Sequence, residues 1–136
     1  MSVNTNLSIE QLENDFWSDP EIESSLVKKC HELRKRSIGE LSIEDLRLLI
    51  GQQIGLPFIV PLAMEYLVKN PFNEGDLFKG ALLSNVLRID SAFWAKNQDL
   101  YDVLFSIMND LAQVFELYQN DLLPKWEKVS NKSLAL

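Results

Sequence analysis

Cysteine and histidine are nearly missing from this chain. Cys30 and His31 are each the only residue of their kind among 136, which removes most catalytic and metal-binding chemistry at once. One cysteine makes no intrachain disulfide. Cys30 and His31 are neighbours in a helical stretch, where adjacent side chains diverge by about 100°, so they form neither a dyad nor a chelate. A Ser–His–Asp arrangement would have to use His31, and no serine sits in a nucleophile-elbow motif. GQQIG at 51–55 lacks the GK[ST] of a phosphate loop. NEGD at 73–76 is too short for a calcium loop. The reading is therefore no enzyme, no cofactor and no metal, with a carboxylate-based enzyme kept as a distant alternative because the chain has twenty acids.

Basic residues are also scarce. Thirteen Lys and Arg stand against the twenty acids, for a net charge of −7, and none of the thirteen falls in residues 1–27. Phosphate binding needs a basic surface, so nucleic acid and anionic membranes are disfavoured as partners. A basic protein partner, or plain solubility, fits better. Long hydrophobic runs are lacking too: the longest, 54–64, is broken by Pro57 and Pro61 and is too short to span a bilayer. The first residues offer neither a basic stretch nor an apolar one of secretory type, so a cytoplasmic location is expected. Sustained period-two alternation is absent as well, which argues against strands.

What is present is helical patterning in one domain, 1–136, with an ordinary globular composition. The expected fold is all-α, with about six helices packed around a central apolar helix near 57–69. Ser8 and Gln11 form a capping-box pattern ahead of Ile9, Leu12, Phe16 and Trp17. A helix over 24–36 buries Leu26, Val27, Cys30 and Leu33 and turns a basic side (Lys28, Lys29, Arg34, Lys35, Arg36) to solvent. Ser42 and Asp45 cap a third helix, in which Arg47 can pair with Glu44 and Gly51 marks close approach of another helix. After the turn at Gly55, the central helix begins at Pro57 or Pro61 and leaves only a Glu65 and Lys69 edge exposed. Next comes a short helix near 77–87 with Leu82, Leu83, Val86 and Leu87 inward, then one capped by Asp90. The longest helix, about 99–119, has an apolar stripe of Leu100, Val103, Leu104, Ile107, Met108, Leu111, Val114, Phe115 and Tyr118. The tail is expected to add one last turn pinned by Trp126.

LV-KK-CHELR at 26–34, EDLRLLIGQQIGL at 44–56, VPLAMEYL at 60–67, NP at 70–71 and a Gly followed by LL–VLR at 80–88 occur in an order that resembles the CdiI immunity proteins of bacterial contact-dependent growth inhibition systems. The likeness covers roughly 24–90, with a weaker echo at 12–20. It implies an all-helical cytosolic protein that binds and blocks the C-terminal toxin domain of a CdiA effector, in a one-to-one complex. Some such toxins are nucleases, RNase A-like ones included. A nuclease is basic around its substrate groove, and carboxylates can stand there in place of phosphates. The expected toxin-binding residues are therefore Glu10, Glu13, Asp15 and Asp19 near the N-terminus, with Asp99, Asp102, Asp110 and Glu116 on the long helix. Tyr101 and Trp17 are candidate aromatic anchors, though core packing is the plainer role for both. The alternative to a toxin inhibitor is a homo-oligomeric helical structural or adaptor protein.

Overall fold

Ser8 starts the first helix, α1 (Ile9–Glu13), by a reciprocal cap. Its hydroxyl accepts from the Gln11 N–H, while the Gln11 side chain accepts from the Ser8 N–H at 2.9 Å. Asn14 ends the helix after little more than a turn by adopting a left-handed conformation, φ +53°, which Asn tolerates better than most residues. Phe16 and Trp17 therefore lie beyond α1, and both are exposed, whereas Ile9 is fully buried. The segment before α1 is tied to residues 37–39. Ile38 N–H donates to the Leu7 carbonyl and Gly39 N–H to that of Thr5, at 2.9 and 3.0 Å. The computed structural model describes residues 3–18, 21, 24–73 and 78–134, with the last side chain described at 131.

Ser24 caps α2 (Ser25–Lys35). A short 3₁₀ turn, Ile38–Glu40, leads to Ser42, which with Asp45 closes a second capping box at the start of α3 (Ile43–Gly51). At the far end of α3, a Cβ on Gly51 would lie 3.0 Å from the Asn85 amide, which is itself fixed to the Arg47 carbonyl at 2.9 Å. The glycine thus admits the helix that carries Asn85. Arg47 turns back to Glu44, donating from Nε at 2.8 Å.

The turn into α4 (Leu56–Lys69) needs Gly55 twice over. Its φ is +65°, and a Cβ there would come within 2.9 Å of the buried Ile9 side chain. Pro57 sits in the first turn, where its missing N–H costs nothing, and Pro61 lies inside the helix. The helix thus begins one residue before the first proline. Ile59, Val60, Ala63, Met64 and Leu67 of α4 are buried with Leu46, Leu49 and Ile50 of α3 and Leu82 and Val86 of α5 (Ala81–Val86). The elements α3, α5 and α7 (Gln98–Leu117) pack around α4. The enclosure is incomplete: Tyr66 and Val68 are exposed beside Glu65 and Lys69. Leu87, expected inward, is exposed one residue past the end of α5. Leu77 lies outside the described residues.

Asp90 caps α6 (Ser91–Lys96) by accepting from the Ala92 N–H. Trp94 and Ile89 then close the core against α7, whose Leu104 and Ile107 are buried and whose Leu111 packs at the edge. Met108, expected in the stripe, is exposed, and beyond Leu111 the stripe is uncovered: Val114, Phe115 and Tyr118 are exposed. Nor does the chain stop in one further turn. A π-helical turn (Tyr118–Leu122) joins α7 to α8 (Leu123–Leu134), with Leu117, Tyr118 and Leu123 all right-handed helical. Trp126, expected to pin that turn, is 59% exposed. At 1.5 Å per residue, the helical run from 98 to 134 is about 55 Å long.

Candidate functional site

The eight expected carboxylates fall on two separate elements, and the structure treats them differently. Glu10, Glu13 and Asp15 belong to α1 and the turn after it, packed on α2. There Arg34 is the organising group. It was expected on the exposed basic side of α2, but it is 1% exposed. Its Nη2 donates to Glu13 Oε1 at 2.6 Å and to the Asp15 carbonyl at 2.8 Å, and Nη1 lies 4.0 Å from Glu10. The Trp17 ring covers the guanidinium at 3.8 Å, a cation–π contact. Trp17 also donates to Asp15 at 3.2 Å and meets the ring of the half-buried His31 at 5.2 Å.

The acids of the N-terminal segment thus have a counter-ion after all, supplied from α2. Glu13 is held by Arg34, Glu10 stands next to the same charge, and Trp17 serves as a cover for Arg34. Asp19 lies outside the described residues. Leu26, expected in the buried stripe of α2, is exposed, which leaves Cys30 and Leu33 as the buried apolar residues of that helix. Burial pushes the Cys30 thiol up from its ordinary value, the opposite of what a reactive cysteine needs.

Asp99, Asp102, Asp110 and Glu116 are arranged otherwise. All four are exposed along α7, spanning about 25 Å of helix. No ion pair to any of them occurs among the described residues. Asp102 accepts a hydrogen bond from Gln98 at 2.8 Å. Three residues on, and so adjacent on the helix surface, stands Phe105, 61% exposed, its ring 6.4 Å from that of Tyr101. Tyr101, for which core packing was the plainer expectation, is exposed. Phe105 was not singled out from sequence; its departure from the three-and-four spacing of the buried stripe is the signal that marks it as outward. The exposed side of α7 therefore carries an aromatic pair beside Asp102, with Asp99 and Asp110 on the flank away from Tyr101, and none of these acids is ion-paired among the described residues.

Among the described residues no group of three or more His, Cys, Asp or Glu is placed to hold a metal ion. Among those residues, too, no helix is long and apolar enough to cross a membrane. The family model described as CDI immunity proteins matches residues 11–104, from within α1 to the buried Leu104 of α7. No curated protein and no solved structure matches the chain. The match takes in Asp99, Asp102 and Tyr101 and ends before Phe105, Asp110 and Glu116. With roughly two-thirds of its length under that match, this chain belongs to the CDI immunity proteins, whose work is to bind and neutralise a toxin of contact-dependent growth inhibition.

Proposed function

We propose that the chain, acting as one helical immunity domain in the cytoplasm, neutralises a CdiA C-terminal toxin domain with one-to-one stoichiometry, without catalysis. The toxin is a basic nuclease, an RNase, and the outer face of α7 covers its active site. The observation behind this choice of face is the contrast in how the acids are used. Glu13, with Glu10 beside it, is engaged by Arg34, while Asp99, Asp102, Asp110 and Glu116 are exposed and unpaired among the described residues. Carboxylates spaced along a rigid helix can occupy sites built for phosphates. Phe105 and Tyr101 offer the kind of aromatic anchor around which binding energy concentrates. Complementary charge raises association towards ~10⁸–10⁹ M⁻¹s⁻¹, which suits an inhibitor that must reach the toxin before its substrate does. The N-terminal set contributes less, chiefly through Asp15.

The test is affinity for the toxin domain encoded immediately upstream, measured at low and high salt. Reversing Asp102, Asp110 and Glu116 to Lys should weaken binding about a hundredfold and flatten its salt dependence, and Phe105→Ala should cost about tenfold or more. Reversing Lys28 and Lys35 should do neither. Unchanged affinity and salt dependence in the acidic set would remove α7 from the interface.

A further inference from the structure

The apolar face that α7 and α8 leave uncovered, from Val114 onward, lies wholly beyond the end of the family match at 104, and the toxin-binding reading does not use it. Val114, Phe115, Tyr118, Leu122, Trp126 and Val129 are all exposed and follow one another at steps of one, three or four residues. They continue the line of Leu104, Ile107 and Leu111, so one stripe is buried in the body and bare beyond it. The bare part amounts to on the order of 600 Å², given ~150–250 Å² for a whole aromatic side chain. That is at the top of the range for the largest apolar patch of a monomer and close to the ~800 Å² that each partner gives to a standard interface.

Charge along the same helix says what covers it. From 98 to 121 there are five acids, Asp99, Asp102, Asp110, Glu116 and Asp121, and no Lys or Arg. From 122 to 134 there are Lys125, Lys128 and Lys132 against Glu127. Laid antiparallel on a copy of itself, the helix sets the basic end of each chain, where Lys125 already pairs with Asp121 of its own helix at 2.9 Å, beside the acidic stretch of the other, a complementarity of overall charge. Laid parallel, it sets like charges together. We infer that this face is the contact of a two-fold symmetric homodimer, with α8 of each copy packed antiparallel against the exposed end of α7 of the other. A two-fold contact uses one patch twice, and here the patch is self-complementary in both its apolar stripe and its charge. Asp102, Phe105 and Glu116 lie on the side of α7 away from that stripe and stay free for a toxin, so the acids favour the antiparallel arrangement through their overall field and not as ion-pair partners.

Sedimentation velocity of the full chain alone, from 1 to 100 µM, tests this. A species of twice the chain mass is expected. Phe115→Glu with Trp126→Glu should give a monomer of unchanged helicity by far-UV circular dichroism, since both side chains are exposed. Lys125→Glu with Lys128→Glu should weaken the dimer at least tenfold. A wild-type monomer throughout the range would overturn the inference, as would a dimer indifferent to Phe115 and Trp126. Loss of toxin binding in the monomeric Phe115→Glu, Trp126→Glu variant would put the toxin on this face instead and overturn it too. Because self-association is read without toxin, failure here is separate from failure of the proposed capture face.

Discussion

The body of the molecule and its distal helix use the same residue types to opposite ends. In the body, up to Leu111, Leu and Ile at helical spacing are buried among α3, α4, α5 and α7, and the Leu46, Leu49, Ile59 and Leu67 side chains are fully so. From 112 to 131 no residue is buried, although Phe115, Tyr118, Leu122 and Trp126 are as apolar as anything inside. Periodicity dictates which side of a helix is apolar. Whether that side is covered by its own chain, by another molecule or by neither is decided by where the other helices run. Hydrophobicity in the body builds the fold; in the distal helix it is surface.

That contrast can be broken most strongly in stability. Leu67→Ala in the centre of α4 should cost about 3–4 kcal/mol in chemical denaturation, the range for a buried leucine that leaves a cavity. At submicromolar concentration, Trp126→Ala should stay within about 0.5 kcal/mol of the parent, as exposed sites do. A large loss from Trp126→Ala in dilute solution would mean that α8 packs on the body.

A smaller effect is expected where the N-terminal segment meets α2. Arg34→Ala removes the Glu13 ion pair, the Asp15 carbonyl contact and the Trp17 cover. Because the Glu13 carboxylate is partly exposed and can rehydrate, the cost should be about 2–3 kcal/mol rather than the full penalty of a stranded buried charge. Residues 14–18 should become accessible to protease at the same time. If Arg34→Ala leaves both stability and cleavage unchanged, the guanidinium does not hold that segment.

Local signals were legible in the chain. Ser8 with Gln11, Ser42 with Asp45, and Asp90 each cap a helix as expected, because a cap is settled within three residues. Glu44 with Arg47, and Gly51 as the point of close approach, follow from helix geometry. The family, too, could be recognised from residues 26–88. Arg34 could not be placed, because its partners lie seventeen to twenty-four positions away and only folding brings the acidic segment onto α2. The same long-range pairing splits the candidate site: it engages Glu13 at one end of the chain and leaves Asp99, Asp102, Asp110 and Glu116 open at the other. Leu26 and Leu87 were misplaced for a related reason, since each lies at a helix end where the apolar face runs past its neighbour.

The central claim is a division of the long helix, with toxin capture on its outer acidic face and self-association on its apolar one. The most direct measurement is the solution mass of the complex between the toxin domain and the Phe115→Glu, Trp126→Glu variant. The account predicts an intact complex of one toxin and one immunity chain, against two of each for the wild type. Absence of a complex would contradict it, because the toxin would then be held by the face assigned to a second copy.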